Sequence, residues 1–132
     1  MPNKQVIGEP MMLGGRPLSL SRAIRAGDFV FVTGQIPFKD GEVMTTGSIE
    51  EQTRACIEGI QSILSEGGCE LSDIVKSMVW LKNKADFPGF NAVYSEYFPK
   101  DPPTRSALVS DFLVDILVEI EVTAYKPLSQ IK

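Results

Sequence analysis

The segment ILVEIEVTAY, residues 116–125, decides the fold because apolar side chains recur at every second position. That period is typical of a β-strand with one buried face. One side of the strand carries Ile116, Val118, Ile120, Val122 and Ala124. The other side carries Leu117, Glu119, Glu121, Thr123 and Tyr125. Two carboxylates in such an apolar strand either face water or belong to a site.

Four more strands are predicted from short runs rich in β-branched and aromatic residues. Residues 20–34, LSRAIRAGDFVFVTG, read as a hairpin that turns at residues 26–28. One face of its second strand is shared by Phe29, Phe31 and Thr33. Residues 73–83, DIVKSMVWLKN, predict a strand with Val75, Val79 and Leu81 on one face. A further strand covers residues 104–109.

Two amphipathic helices separate these strands. Ser48 and Glu51 have the spacing of a capping box, which starts the first helix, and Gly67-Gly68 stops it. Its apolar face carries Cys56, Ile60, Ile63 and Leu64. The second helix begins near Asp86 and Pro88. Its apolar positions are Phe90, Val93, Tyr94 and Tyr97.

The order β-β-α-β-α-β-β with one-sided helices predicts an α+β sheet that is covered by helices on one face. The chain has 132 residues and 43% hydrophobic content. We therefore expect one domain over residues 1–132 with a single core. The uncovered face would still expose apolar side chains such as Phe29 and Phe31, so we expect subunits to associate through it.

Composition argues against several classes of function. The net charge of −4 disfavours nucleic-acid binding. No apolar run is long enough for a membrane span and no signal peptide is recognisable, so a soluble, cytoplasmic protein is expected. Cys56 and Cys69 lack CxxC spacing and are expected to be reduced, with Cys56 in the core.

The chain contains no histidine. This excludes Ser-His-Asp and Cys-His nucleophile systems within one chain and removes the commonest protein ligand of zinc and non-haem iron. The chemistry must then use carboxylates, Arg, Lys, hydroxyls, thiols, backbone amides and water.

The candidate site residues are Arg105, Glu119 and Glu121, and Thr33 with Gly34. Arg105 follows DPPT at the start of a strand, where a guanidinium can bind a carboxylate through two hydrogen bonds. Each residue also has an alternative interpretation. Arg105 could be a surface salt-bridge residue, the two glutamates could be solvated or form an intersubunit ion pair, and Thr33 could be only a strand residue.

Three aromatic residues near the second helix are interpreted as packing residues, and two arginines near the hairpin as solvated. The aromatic residues are Tyr94, Tyr97 and Phe98. The arginines are Arg22 and Arg25.

Five segments in this order resemble the RidA (YjgF) family of enamine/imine deaminases, from about Leu18 to Tyr125. They are LSRAIRAGDFVFVTGQIP, DIVKSMVWL, FNAVYSEYF, PPTRSALV and VEIEVTAY. The resemblance implies a chorismate-mutase-like fold, with a sheet of about six strands and two helices on one face. It also implies a homotrimer with an inner barrel of sheets and active sites between neighbouring subunits.

By the same resemblance, Arg105 matches the arginine that binds the carboxylate of a 2-aminoacrylate-like enamine or imine. Glu119 matches the glutamate that orients the hydrolytic water. Thr33, next to Gly34, replaces the usual serine and keeps a hydroxyl. The implied reaction releases ammonia and a 2-oxo acid without metal or cofactor.

This chain departs from the family pattern at two positions of the implied site. Leu20 stands where the family has a site tyrosine, which implies a more apolar pocket and a different or bulkier imino acid. Ala107 stands where a cysteine is common. The loop of residues 111–115 also looks about one residue shorter than in typical members.

Two alternative functions remain at this point. One is a non-catalytic binding protein for a 2-oxo acid or another carboxylate, which Leu20 favours. The other is the older family description, endoribonuclease or translation inhibitor, which the net charge and the lack of histidine argue against.

Overall fold

A computed structural model describes residues 4–131 of the chain. Its helices are α1 (Ile49–Glu66) and α2 (Phe87–Tyr97). The strands are β1 (Lys4–Ile7), β2 (Met12–Leu13), β3 (Arg16–Pro17), β4 (Ala23–Ala26), β5 (Phe29–Gln35), β6 (Phe38–Lys39), β7 (Glu42–Val43), β8 (Ile74–Leu81), β9 (Thr104–Val109) and β10 (Val118–Tyr125). Short 3-10 helices cover Leu71–Asp73, Lys84–Asp86 and Leu128–Gln130. This composition confirms the predicted α+β class with two helices.

The main sheet has six strands in the order β1-β4-β5-β10-β8-β9. Its neighbours are antiparallel except for β8 and β9, which run parallel. A parallel pair needs a crossover connection, and α2 supplies it. Two separate hairpins, β2–β3 and β6–β7, lie outside this sheet. The prediction of about six strands is confirmed, although β1 was not foreseen.

The β10 strand lies between β5 and β8 and forms the centre of the sheet. The side predicted to be apolar is buried throughout, with Val118, Ile120, Val122 and Ala124 each at most 2% exposed. Ile116, which precedes the strand, is buried as well. Side chains of both helices join the buried core, and α1 contacts β5 and β10 directly. The core therefore lies between the helices and one face of the sheet.

The predicted capping box of α1 is present. The Ser48 hydroxyl accepts a hydrogen bond from the Glu51 amide at 3.1 Å, and the Glu51 carboxylate accepts one from the Ser48 amide at 3.1 Å. The helix ends at Glu66, and Gly68 follows with a φ of 78°, a conformation that favours glycine. All four residues assigned to the apolar face are buried: Cys56, Ile60, Ile63 and Leu64.

The opposite face of the sheet exposes large apolar side chains. Phe29 is 42% exposed, Phe31 49%, Leu108 44% and Tyr125 43%. Phe29 and Tyr125 pack edge to face, with ring centroids 5.1 Å apart. An apolar face of this kind is typical of an interaction surface.

The predicted facing of Val75 is wrong. Val79 and Leu81 are buried, but Val75 is 43% exposed. Thr123 of β10 pairs with Lys76, whereas the next residue, Ala124, pairs with Ile74. The extra residue is a β-bulge, which turns Val75 outward and returns Ile74 to the core.

The predicted solvation of Arg25 is also wrong, since this residue is only 5% exposed. Its guanidinium donates to the carbonyls of Gly27, Lys126 and Gly67 at 3.2, 3.2 and 2.9 Å. Cys69 Sγ lies 3.6 Å from Nη2. Arg25 thus joins the β4–β5 turn to the ends of α1 and β10. Arg22 is partly exposed.

Both cysteines are free, and Cys56 lies in the core as predicted; Cys69 is buried as well. Burial raises the pKa of each thiol, and for Cys56 the nearby carboxylate of Glu119 adds to this effect. Neither thiol is therefore activated. None of the helices in residues 4–131 is long and apolar enough to cross a membrane.

Candidate active site

The second strand of the hairpin carries a β-bulge at Thr33 and Gly34. Val32 pairs with Val122 and Gln35 pairs with Ile120. Thr33 and Gly34 therefore both lie opposite the single residue Glu121. The Thr33 amide donates to the Arg22 carbonyl at 2.9 Å, and its hydroxyl donates to the Ser21 carbonyl. These bonds fix the bulge against the segment that leads into β4.

Glu119 projects from β10 onto this bulge. Its carboxylate occupies the space beside Gly34 that a side chain at that position would fill. Burial raises the pKa of Glu119, and the charge of Glu121 raises it further. The half-buried carboxylate also lines a small cavity of about 170 Å³ with Trp80 and the loop of residues 110–113. A carboxylate of raised pKa in a partly dry position is a candidate for proton transfer.

A larger cavity of about 610 Å³ lies on the same face of the sheet. Leu20, Phe31 and Thr33 line it, together with Lys4 and Glu121. It therefore combines an apolar wall with a hydroxyl, an ammonium group and a carboxylate. The structure brings Leu20 and Thr33 together, as the predicted site requires.

Arg105 lies at the start of the edge strand β9. Its Nη1 donates to Asn91 Oδ1 of α2 at 2.9 Å, and its Cζ lies 4.8 Å from the centroid of the Tyr94 ring. The Tyr94 hydroxyl donates to Ser77 Oγ at 2.9 Å, which fixes that ring. A cation on an aromatic face gains electrostatic stabilisation while its remaining N–H groups stay available.

No carboxylate in residues 4–131 forms a salt bridge with Arg105. The guanidinium instead lines an open cavity of about 360 Å³ with Pro102, Pro103 and Phe98. Within the described chain, Arg105 is therefore not the surface salt-bridge residue of the alternative interpretation. The geometry leaves Arg105 able to bind an external carboxylate.

Arg105 and Glu119 lie on opposite faces of the sheet. Arg105 pairs with Ser77, which is buried beneath the helices, whereas Glu119 pairs with Trp80 on the uncovered side. Ala107 lies two residues after Arg105 and shares its face. One chain thus assembles Leu20, Thr33, Gly34 and Glu119 near one another and holds Arg105 and Ala107 apart from them.

Sequence reasoning missed several residues around these positions. Asn91 was not singled out, although it lies three residues before Tyr94 and so shares a helix face with it. Trp80 was not singled out as a site residue. Lys4 was missed because β1 was not predicted. Tyr94 packs in the core as expected and also supports Arg105.

The residues that the structure describes do not bring together three or more His, Cys, Asp or Glu side chains that could hold a metal ion. The polar groups of the site are instead two carboxylates, a hydroxyl, an ammonium group and, on the other face, a guanidinium. These groups can bind a carboxylate and orient water.

Comparison with known proteins identifies the family. The family model described as Endoribonuclease L-PSP matches residues 16–126. The chain belongs to this family, which is also called the RidA or YjgF family. The predicted resemblance is therefore confirmed.

Three relatives illustrate how far the similarity to RidA-family proteins extends. A RutC family protein from Pyrococcus abyssi is 49% identical over 109 residues, which cover 80% of this chain and 85% of the relative. The 3-aminoacrylate deaminase RutC from Acinetobacter baylyi is 36% identical over 105 residues, which cover 78% and 83%.

The third relative is yeast Mmf1, whose crystal structure superposes with a TM-score of 0.84 at 30% identity and covers 93% of this chain and 98% of that one. Its counterpart in Saccharomyces cerevisiae is named a mitochondrial protein. This chain thus shares its architecture, a six-stranded sheet with two helices, with the solved structure of yeast Mmf1.

Proposed function

We propose that this RidA-family protein is a hydrolytic deaminase that converts reactive enamines or imines of amino acids to 2-oxo acids and ammonia. The observation that carries the proposal is the position of Glu119. Its carboxylate is half-buried, has a raised pKa and lies beside the bulge of Thr33 and Gly34. This arrangement suits a group that orients water and accepts its proton.

The proposed reaction uses only side chains of this protein and water. The enamine first tautomerises to the imine. Arg105 binds the substrate carboxylate through two N–H groups, and Glu119 holds water against the imine carbon. The water oxygen bonds to that carbon while Glu119 takes one water proton and the C=N π electrons pass to nitrogen. Glu119 then returns this proton to the nitrogen, which gives the carbinolamine. The carbinolamine hydroxyl proton passes to the nitrogen as the C–N bond breaks, so ammonia leaves and the 2-oxo acid remains.

Such imines hydrolyse readily in water, so modest catalysis suffices. Positioning together with one proton-transfer group contributes about 10² to 10⁴-fold. The hydroxyl of Thr33 and the backbone beside Gly34 would contact the polar end of the substrate. Leu20 and Ala107 would shape the pocket around its side chain.

We further propose that each site is completed by a second chain, in a homotrimer whose sheets form an inner barrel. Arg105 and Glu119 lie on opposite faces of the sheet, so one chain does not bring them to the same substrate. The exposed apolar face at Phe29, Phe31 and Tyr125 supports burial against other subunits. The edge strand β9 is exposed along its whole length and carries Arg105 to that boundary.

The Acinetobacter baylyi relative supports the reaction type, because 3-aminoacrylate is an enamine that carries a carboxylate. The cytoplasmic location expected for this chain stays a prediction, since one relative is a mitochondrial protein.

A second candidate function is non-catalytic binding of a 2-oxo acid or another carboxylate. Leu20 favours it. This apolar side chain lines the cavity next to Thr33, whereas the tyrosine that the family has at this position would supply a polar contact through its phenol. RNA cleavage, the activity in the name of the family model, is less favoured by a net charge of −4 and a chain without histidine.

Ammonia release tests the choice between catalysis and binding. Imines are generated from a panel of amino acids with an amino-acid oxidase or a pyridoxal-phosphate deaminase, and ammonia is measured with the protein, without it and with Arg105→Ala. We expect acceleration by the protein and loss of most of it in the variant. No acceleration with any amino acid would exclude the deaminase. Saturable binding of a 2-oxo acid would then support the binding protein.

A further inference from the structure

A further cavity, of about 640 Å³, lies on the helix side of the sheet, opposite the side that carries Glu119. Its walls come from α1, the β6–β7 hairpin and the segment of residues 9–12. Neither Arg105 nor Glu119 lines it. The proposed deaminase reaction leaves this cavity without a role.

Its apolar wall is formed by two methionines, a phenylalanine and an isoleucine: Met11, Met12, Phe38 and Ile63. Met12 is 58% exposed and Phe38 39% exposed, so the wall is open to a ligand. Methionine side chains are flexible and polarisable, which lets such a wall adapt to apolar groups of different shape.

Gly59 enlarges the cavity at its base. It lies inside α1, where glycine lowers helix stability relative to alanine. A Cβ added at this position would lie 3.5 Å from Gln35 Oε1, which would be its nearest neighbour. Neither its backbone conformation nor a steric clash requires a glycine. Its effect is to leave open the space in front of the Gln35 amide.

Two polar groups in the cavity have unused hydrogen-bonding capacity within residues 4–131. Arg22 donates through Nε to the Glu9 carbonyl at 2.8 Å, but Nη1 and Nη2 have no partner there. Gln35 donates through Nε2 to the Thr33 carbonyl at 2.8 Å, and Oε1 accepts no hydrogen bond. The Arg22 carbonyl in turn accepts from the Thr33 amide. Both groups are therefore held in place before any ligand arrives.

The charges around these groups define what can bind. Arg22 contributes one positive charge, and the exposed carboxylates of Glu9 and Glu66 line the same cavity. A simple carboxylate would approach the guanidinium but be repelled by the glutamates. A simple amine would leave the guanidinium unpaired. A ligand with adjacent carboxylate and ammonium groups can pair with the guanidinium and with the glutamates at the same time.

We propose that this cavity binds the zwitterion of a free amino acid with an apolar side chain. The carboxylate pairs with Arg22, the ammonium group faces Gln35 Oε1 and the glutamates, and the side chain packs on Met12 and Phe38. The site is distinct from the candidate active site and does not depend on the proposed deaminase activity.

Three matched probes test this proposal on the whole protein: L-leucine, 4-methylpentanoate, which lacks the ammonium group, and 3-methylbutylamine, which lacks the carboxylate. Binding is followed by calorimetry and by ¹H–¹⁵N spectra. We expect leucine to bind at least about 10-fold more tightly than either analogue, because each analogue loses a charge-assisted hydrogen bond. Shifts should centre on the amides of Gly59 and Phe38.

Variants separate this site from others. Arg22→Gln should weaken leucine binding about 10-fold. Gly59→Leu should abolish it by filling the cavity, and it replaces a glycine by a better helix former. Arg16→Gln, a change of an exposed arginine outside the cavity, and Arg105→Ala should leave leucine affinity unchanged.

Any of three results would overturn the proposal: no saturable binding of leucine, an analogue that binds as tightly as leucine, or unchanged leucine affinity in both Arg22→Gln and Gly59→Leu. Loss of leucine binding in Arg105→Ala would assign the ligand to the candidate active site and would equally contradict a separate amino-acid site.

Discussion

The carboxylate of Glu119 lies beside the Cα of Gly34, in the space that any side chain at position 34 would occupy. Gly34 does not have the left-handed backbone conformation that favours glycine. What the position requires is the absence of a Cβ, so that a half-buried carboxylate can lie against the bulge.

Gly34→Ala should therefore displace the Glu119 carboxylate. The colliding atom is the end of a flexible side chain, so the strand should remain intact while the proposed catalytic carboxylate moves. We expect kcat/KM for imine hydrolysis to fall by about 10² or more, since misplacing a catalytic group by about 1 Å has effects of that size. Ammonia release and circular dichroism would measure activity and fold.

A double-mutant cycle distinguishes this cause from general damage. In the Glu119→Gln background the group to be displaced has already lost its function, so Gly34→Ala should lower activity little further. Equal fold-losses from Gly34→Ala in both backgrounds would show that position 34 acts independently of Glu119.

The pH dependence of the reaction should report the interaction between the two glutamates. Burial and then the charge of Glu121 raise the pKa of Glu119. If Glu119 accepts a proton, kcat/KM should rise with pH through the pKa of this carboxyl. Glu121→Gln removes the like charge and lowers that pKa, so the acidic limb of the profile should move to lower pH.

If the acidic limb does not move in Glu121→Gln, the pH dependence of the activity does not come from the titration of Glu119. Glu119→Gln provides the reference, because it should remove this limb together with most of the rate. The profiles require initial rates corrected for uncatalysed hydrolysis of the imine at each pH. The enzyme that generates the imine is kept in excess, so that its own pH dependence does not limit the rate.

Arg105→Lys tests whether the guanidinium itself is needed. A lysine keeps the charge but offers neither two parallel N–H donors nor a planar group to lie on the Tyr94 ring. We expect KM to rise about 10 to 100-fold with a smaller change in kcat, as steady-state kinetics would show.

Arg54→Lys is the matched control. Arg54 also lies over an α2 aromatic ring, with Cζ 5.6 Å from the Tyr97 centroid, and pairs with Glu96 at 3.2 Å on the exposed surface. It lines no part of the candidate site, so KM should not change. A similar rise in KM for both variants would attribute the effect to the packing of α2.

Much of the fold could be predicted because its signals are local. The alternation from Ile116 onward gave the correct buried face of β10, and Ser48 with Glu51 marked the start of α1. Val75 could not be placed, because a bulge in β8 depends on the pairing with β10, which lies more than 40 residues further along the chain. β1 was missed because a strand of four residues gives little periodicity.

The sequence indicated which residues could form the candidate site but not how they are arranged. Leu20 and Thr33 do line one cavity, and Glu119 does lie on the uncovered face. Arg105 lies on the other face because it pairs with Ser77 in a parallel register that the sequence does not specify. Asn91 becomes recognisable as its partner only when α2 and β9 are seen together.

Arg25→Ala should strongly destabilise the fold. This buried guanidinium is hydrogen-bonded to three backbone carbonyls, and its removal leaves them without a partner. A buried polar group left unsatisfied costs about 1 to 3 kcal/mol, so a loss of about 3 kcal/mol or more in the free energy of unfolding is expected. Urea denaturation would measure it. Arg16→Ala, at an exposed position, should change stability by less than about 0.5 kcal/mol.

Mixing two inactive variants tests whether a site draws on two chains. Arg105→Ala retains Glu119, and Glu119→Gln retains Arg105, so an interface between one chain of each kind can contain both groups. After joint unfolding and refolding at equal amounts, random assembly should restore about a quarter of wild-type activity. Each variant refolded alone should stay inactive. If the mixture also stays inactive while light scattering shows mixed oligomers, Arg105 and Glu119 do not act on one substrate across a subunit interface.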